Sequence, residues 1–207
     1  MSNATHIIST PEQLAALSGP LADASIKKET DYVHSLYAEI IAASPFLTMA
    51  TFGPNGLDVS PRGDAPGFVR LQDPRTLLLP ERRGNNRIDS LRNLIHDPRI
   101  ALLFMVPGVG ETLRVRGTAK ISVAPDLVAQ FLVDGKPPKC VLVISVEKVF
   151  FQCARAIQRS ALWANRDPAA PRPVPTAGAI LAAITAGDFD GESYDRELPA
   201  RQKATLY

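Results

Sequence analysis

Cysteine is scarce in this chain of 207 residues, which contains only Cys140 and Cys153. Two cysteines cannot form a disulfide framework or a four-cysteine zinc site. A low cysteine content is typical of proteins that work in a reducing compartment. We therefore expect a cytoplasmic protein.

Long apolar runs are also missing. The two longest, Ile100–Pro107 and Ala177–Ala186, are far shorter than the ~20 residues that a membrane-spanning helix needs. The segment Met1–Thr10 lacks the basic start and apolar core of a signal peptide. These absences predict a soluble chain with no membrane partner.

Few residues suggest metal or acid–base chemistry. The histidines His6, His34 and His96 are far apart and match no metal-ligand spacing, so no metal is expected. The sequence has no GxSxG, Walker A or GxGxxG motif, so it identifies no catalytic residues. A net charge of only +2 argues against a chain-wide attraction to nucleic acid.

What is present indicates a globular, mainly β protein with peripheral helices. Apolar residues make up 45% of the chain, and most of the 18 prolines mark boundaries between short elements. The lack of regular βαβ alternation favours a small antiparallel barrel. We divide the chain into an N-terminal helical extension (1–45), the barrel (46–163), and a proline-rich connection with a C-terminal helix and tail packed on the barrel or a partner subunit (164–207).

Hydrophobic periodicity also predicts individual elements. Strands are expected at Phe46–Phe52, Leu57–Ser60, Thr76–Leu79, Ile100–Val106, Leu113–Val123 and Cys140–Val146. Helices are expected at Ile26–Ser44, around Ile88–Ile95, and at Pro125–Val133, Ala154–Trp163 and Thr176–Ala186. Gly53–Gly56 is a tight-turn signal, and Gly117 marks a bulge or bend within its strand.

Arginine is the most informative residue type. Ten arginines and no lysine lie between Arg62 and Arg116, and for any one of them a solvated surface position is an alternative. The segment Glu81–Arg87 joins a strand to the first turn of a helix, where backbone N–H groups are free. Its cations Arg83 and Arg87, with the amides of Asn85 and Asn86, predict a pocket for a phosphate monoester.

Three further clusters are candidate binding sites. Ser60–Asp64 is expected to form a sharp loop that exposes Arg62 and a carboxylate. In Gly110–Gly117 one strand face carries Thr112, Arg114 and Arg116, with a water-facing strand as the alternative. The third cluster ends the helix Ala154–Trp163, where Arg159 and Ser160 precede the only tryptophan, Trp163. Tryptophan is also a common core or interface anchor.

Taken in order, these clusters resemble the pyridoxamine 5′-phosphate oxidase-related FMN-binding proteins, in an uncharacterised branch and not the biosynthetic oxidase itself. The resemblance covers about Phe46 to Trp163. It is carried by the following runs: Ser60–Asp64, Arg82–Arg87, Asp97–Arg99 with Leu102–Phe104, Pro107–Gly117 and Arg159–Trp163.

The resemblance implies an FMN-binding split β-barrel of antiparallel Greek-key type. It also implies a homodimer with one flavin in each of two clefts between the subunits. The implied FMN contacts are Ser60, Arg62, Arg83, Asn85, Asn86, Arg87, Thr112, Arg114, Arg159, Ser160 and Trp163. Thr112 stands where the oxidase carries glutamine, and Gln152 where close relatives carry histidine. The oxidase's substrate signature is missing near the C-terminus, so pyridoxine phosphate oxidation is not implied.

These observations give one leading hypothesis and two alternatives. The first is an FMN-dependent oxidoreductase that transfers hydride or electrons between a reduced donor and a small organic acceptor. The second is a non-catalytic carrier or sensor of flavin, deazaflavin or haem. The third, an OB-like nucleic-acid binder, is disfavoured because no aromatic residues interleave with the arginines.

Overall fold

A computed structural model of the chain describes residues 6–165, 167 and 170–207. The helices are α1 (Pro11–Ala15), α2 (Asp23–Lys27), α3 (Ser35–Ala43), α4 (Asp89–His96), α5 (Pro125–Ala129), α6 (Arg155–Ser160), α7 (Ala177–Ile184) and α8 (Gly191–Ala204). The strands are β1 (Phe46–Gly53), β2 (Gly56–Gly63), β3 (Arg70–Asp73), β4 (Thr76–Glu81), β5 (Arg99–Met105), β6 (Thr112–Ser122) and β7 (Cys140–Gln152). Pro168 of the proline-rich connection and residues 1–5 of the N-terminal extension lie outside the described residues.

The seven strands form one sheet in the order β2-β1-β5-β6-β7-β4-β3. Every pair of neighbouring strands is antiparallel. The sheet is not closed, because the edge strands β2 and β3 do not pair within the described chain. The mainly β, antiparallel fold with peripheral helices that the sequence predicts is confirmed.

The main core lies on one face of the sheet, and a smaller cluster of Leu78, Phe131 and Val141 lies on the other face of β4 and β7. In β1 the buried residues are Leu47, Met49 and Thr51, and in β5 they are Ile100, Leu102 and Phe104. These positions alternate with exposed or half-buried ones, as the two-residue period of a strand requires. Helices α3 and α4 add Ile41 and Leu94 to the same cluster.

The β6 strand shows the predicted alternation, and the irregularity predicted at Gly117 is a bulge in the neighbouring β7, whose extra residue is Glu147. Leu113, Val115 and Ala119 are buried, whereas Arg114 and Arg116 are exposed. The pairing of β6 with β7 shifts register between Arg116 and Gly117. A bulge of this kind bends the strand locally and lets the long β6–β7 ribbon curve.

Gly117 is needed at the bulge because the neighbouring strand leaves no room for a side chain. A Cβ atom there would lie 1.9 Å from the Ser145 carbonyl oxygen. We expect Gly117→Ala to lower the free energy of unfolding by roughly 1–3 kcal/mol, measured by urea denaturation. Gly19→Ala is the matched control, since a Cβ at Gly19 meets nothing within 4 Å. Equal stability of the two variants would contradict this packing argument.

The single helix predicted at Ile26–Ser44 is wrong. The structure has α2 ending at Lys27 and α3 beginning at Ser35, with a turn, an isolated β-bridge at Thr30 and bends between them. Thr30 exchanges two backbone hydrogen bonds with Val149 of β7, at 3.0 and 2.8 Å. Pairing with the sheet therefore overrides the helical spacing of the apolar residues.

Other predicted boundaries also need correction. β7 continues past Val146 to Gln152, because β6 supplies a partner along its whole length. The helix predicted at Ala154–Trp163 ends at Ser160, before Ala161 at φ +48°, and the one predicted at Pro125–Val133 ends at Ala129. The sharp loop expected at Ser60–Asp64 is an extension of β2 up to Gly63. Proline is tolerated there because β2 is an edge strand.

The C-terminal region is a helical hairpin. Thr176 caps α7 as predicted, accepting a hydrogen bond from the Ala179 N–H. α8 was not foreseen, partly because Pro199 lies within it. Gly178 and Gly191 bring the two helix backbones into close approach, since a Cβ on either residue would lie within 2.3 Å of the other's carbonyl oxygen.

None of the helices in the described part of the chain is long and apolar enough to traverse a bilayer. The cytoplasmic location stays a prediction.

Candidate functional site

A cavity of about 620 Å³ lies between β2, the end of β4 and the start of α4. It is lined by Asp58–Gly63 except Val59, by Phe68, by Pro80–Ser90 and by Lys139. Six of the predicted site residues meet here: Ser60, Arg62, Arg83, Asn85, Asn86 and Arg87. The structure therefore brings the first two arginine-containing clusters together.

The β2 strand presents its polar side chains to the cavity. In most strands apolar residues face inwards and polar residues face solvent, and in β2 this arrangement is reversed. Asp58, Ser60 and Arg62 are half-buried on the concave side, and Leu57 and Val59 are exposed on the other. Ser60 pairs with Met49 of β1, which points into the core, so these alternate residues share the concave face. An edge strand with polar residues inside forms one wall of a binding cavity.

The hydroxyl groups in this wall form a directed chain. Arg62 Nη1 donates to Ser60 Oγ at 2.8 Å, and Ser90 Oγ donates to Asp58 at 3.1 Å. The two hydroxyls are 2.9 Å apart. A serine hydroxyl has one hydrogen to donate, and Ser90 donates it to Asp58. The hydrogen bond between the two serines is therefore donated by Ser60. The chain thus fixes Ser60 as a donor within the wall and runs from a cation to a carboxylate.

The loop between β4 and α4 carries most of the positive charge. Asn86 and Ile88 have left-handed backbone conformations, with φ of +63° and +52°. Such a conformation is costly for a β-branched residue, and outliers of this kind cluster at ligand sites. The α4 N-terminus lacks a side-chain cap, which leaves backbone N–H groups for another acceptor. This arrangement suits an anion.

The cations of the cavity differ in whether a carboxylate is paired with them. Arg62 pairs with Glu81 at 2.8 Å, Arg82 with Asp64 at 2.9 Å and Arg87 with Asp89 at 2.8 Å. The hydrogen bond to Asp89 raises the pKa of Arg87. Within the described chain, Arg83 and Lys139 form no ion pair with a carboxylate. These two cations are the ones available to an incoming anion.

Two of these ion pairs form the seam of the open sheet, which we define as Arg62–Glu81 and Asp64–Arg82. Both link the end of β2 to the end of β4, and the side chain of Asp64 is only 4% exposed. Tyr207 donates its hydroxyl to Asp64 at 2.7 Å. Burial favours a higher pKa for Asp64, but the hydrogen bonds from Tyr207, Ala65 and Arg82 outweigh it and lower the pKa. The same bond raises the pKa of Tyr207.

The remaining predicted site residues do not line this cavity: Thr112, Arg114, Arg159, Ser160 and Trp163. Thr112 and Arg114 lie on β6, three strands from β2, or about 14 Å at the usual strand spacing. Trp163 donates its indole N–H to the Val109 carbonyl oxygen at 2.7 Å, which places it beside the loop before β6. We refer to these five residues, which lie outside the cavity, as the second group.

Among the lining residues that sequence reasoning did not select as site residues are Asp58, Arg82, Ser90 and Lys139. The signal for Asp58 was present, because alternation along β2 puts it on the same face as Ser60 and Arg62. No local pattern signals Lys139, which reaches the cavity only through the pairing of β4 with β7. In the described chain, no group of three or more histidine, cysteine or acidic side chains could hold a metal ion.

The model of one known family, described as pyridoxamine 5′-phosphate oxidase, matches residues 34–153, which is more than half of the chain. A comparison with curated proteins finds no match.

Several solved structures are similar. HupZ of Group A Streptococcus is 22% identical, with 58% of this chain and 94% of that chain covered and a TM-score of 0.48. An FMN-binding protein from Syntrophomonas wolfei is 15% identical, with 68% and 91% covered and a TM-score of 0.44. A pyridoxinephosphate oxidase family protein from Clostridium acetobutylicum is 16% identical, with 56% and 84% covered and a TM-score of 0.42.

Proposed function

This chain belongs to the pyridoxamine 5′-phosphate oxidase family, and from that membership and the cavity we propose that it is an FMN-dependent oxidoreductase. The reaction would transfer hydride or electrons between a reduced donor and a small organic acceptor. The observation that carries the proposal is the cavity, which combines two uncompensated cations with a helix N-terminus.

The donors present in the cavity fit the phosphate end of FMN. Arg83 and Lys139 supply charge, and the side chains of Asn85 and Asn86 supply amide donors. Charge-assisted hydrogen bonds to phosphate are among the strongest that a protein makes. The hydroxyl chain through Ser60 and Ser90 gives a polar wall next to this end. These residues would bind and orient the cofactor.

When bound, FMN supplies the redox chemistry, because the isoalloxazine ring itself accepts and donates the hydride. The protein then needs few acids and bases of its own, and the lack of a catalytic constellation in the sequence is consistent with this. The role of the described residues is to bind the phosphate, orient the flavin and shape access to it.

We further propose that the protein is a homodimer formed through the convex face of the sheet. This convex face carries Leu57 and Val59, which are 83% and 66% exposed, beside Phe46 and Phe52 of β1. It continues into β5 through the half-buried Leu103. Apolar residues on consecutive strands of one exposed face are typical of an interaction site.

A dimer would also give the second group a role. Thr112, Arg114, Arg159, Ser160 and Trp163 do not line the cavity of their own chain. In a dimer these residues of one subunit could complete the cavity of the other. The FMN contacts proposed for them therefore depend on the dimer.

The proposal is tested by the visible spectrum of the purified protein and the mass of the extracted chromophore. We expect the absorption bands of oxidised flavin, a chromophore with the mass of FMN, and bleaching of these bands by a reduced nicotinamide under anaerobic conditions. A haem Soret band, or a protein that stays colourless after incubation with FMN and desalting, would refute FMN binding. Bound FMN that no donor reduces would refute the oxidoreductase activity alone.

A further inference from the structure

Lys139 lines the cavity from a different segment of the chain than the arginines. It lies immediately before β7, and its backbone N–H donates to the Glu81 carbonyl oxygen at 2.9 Å. Its ammonium group donates to Asn86 Oδ1 at 2.6 Å. The contact joins two segments that are 53 residues apart in sequence. Lys139 thus connects the start of β7 to the loop that precedes α4.

This contact determines how the Asn86 side chain is oriented. A side-chain amide has one acceptor oxygen and one donor nitrogen, which lie in one plane and point away from each other. Because the lysine ammonium is a donor only, it fixes the oxygen of Asn86 towards Lys139 and turns the NH₂ group away from it. The left-handed backbone at φ +63° is one that asparagine tolerates better than most residues. Asn86 is therefore held as a hydrogen-bond donor.

The charge of Lys139 is not neutralised by this contact, because the amide is uncharged. The three other cations paired in this region each have a carboxylate within 2.9 Å. Arg83 and Lys139 have none among the described residues, and the carboxylate of Asp58 accepts the Ser90 hydroxyl. A phosphate monoester carries close to two negative charges at neutral pH. Two available cations match that charge.

We propose that Lys139 is a positioning residue for the phosphate monoester of the ligand. It holds the Asn86 amide as a donor towards the phosphate and supplies the second available cation beside Arg83. The inference rests on the proposed function only in naming FMN as the ligand.

The test compares Lys139→Ala with Lys136→Ala, a control in the same loop whose side chain does not line the cavity. Apoprotein is titrated with FMN and with riboflavin, which lacks the phosphate, and flavin fluorescence is measured. Lys139→Ala should weaken FMN binding about tenfold, as for the loss of one charge-assisted hydrogen bond, and leave riboflavin binding unchanged. Lys139→Arg should recover most of the FMN affinity. Lys136→Ala should behave as the unaltered protein.

The dependence on Asn86 is tested by a double-mutant cycle. If Lys139 acts partly through the amide, its removal should weaken FMN binding less in the Asn86→Ala background than in the unaltered protein. Additive losses would show that Lys139 does not position Asn86. Equal losses for FMN and riboflavin, or no loss for either, would overturn the proposal.

Inorganic phosphate separates this inference from the proposed function. It should raise the thermal midpoint of the unaltered protein and of Lys136→Ala, but raise that of Lys139→Ala much less. If the protein binds no flavin and still shows this difference, FMN binding is wrong and the phosphate site stands. If phosphate gives the same shift in all three proteins, Lys139 has no part in binding phosphate.

Discussion

Replacing Arg83 by glutamate is expected to weaken FMN binding by about tenfold to a hundredfold, with riboflavin affinity nearly unchanged. Arg83 lines the cavity and pairs with no described carboxylate, so its charge is available to the phosphate. The substitution removes a charge-assisted hydrogen bond, worth about 1.5–3 kcal/mol, and adds a repulsive charge. Dissociation constants for the two flavins, measured by fluorescence titration, give the comparison.

Two further variants make this result specific. Arg196→Glu, on the exposed surface of α8, makes the same change of net charge and should leave both affinities intact. Arg87→Ala should cost less FMN affinity than Arg83→Ala, because Arg87 is already held by Asp89 at 2.8 Å and must share its charge. A loss of riboflavin binding equal to the loss of FMN binding would remove Arg83 from the phosphate site.

The second large effect is expected from Val59→Asp on the convex face. Val59 is 66% exposed and lies on the side of β2 opposite the cavity, so a charge there is tolerated in an isolated subunit. An obligate dimer interface buries more than about 2,000 Å², and an uncompensated carboxylate within it is costly. Sedimentation should change from twice 22.3 kDa to a single subunit, with loss of bound FMN.

The control is Val123→Asp. Val123 is 71% exposed and follows the last residue of β6. In the alternation along β6 it belongs with the residues that face the core, and not with those on the convex face. It should stay dimeric and retain FMN. If the unaltered protein is itself a monomer that retains FMN, or if Val59→Asp remains a dimer, then the convex face is not the interface.

Alternation and turn chemistry made much of the sheet predictable. The buried residues of β6, the irregularity at Gly117 and the turn at Gly53–Gly56 all follow from the sequence, because each depends on neighbouring residues alone. The loop between β4 and α4 was also recognisable as a candidate site, since Arg83, Asn85, Asn86 and Arg87 lie close together in one short segment. The structure indeed places these four side chains around one cavity.

Features that depend on distant segments were not predictable. The break before α3 arises from the pairing of Thr30 with Val149, and Lys139 reaches Asn86 only because β4 pairs with β7. The extension of β2 through Pro61 was not predicted, because proline usually marks a loop. It is tolerated here only because β2 is an edge strand. The second group does not line the cavity, and under the proposed dimer its part in the site depends on the partner subunit, which local sequence patterns do not encode.

The seam between β2 and β4 affects how a ligand enters and leaves. These strands are joined there by the two ion pairs Arg62–Glu81 and Asp64–Arg82, with no backbone ladder between them. Separating them breaks side-chain contacts only, so the cavity wall can open in a local fluctuation that costs far less than unfolding the sheet. Because the four side chains of the seam are only 4–16% exposed, added salt screens these ion pairs much less than it screens surface pairs. We therefore expect the opening of the seam to depend little on ionic strength while the central strands remain paired.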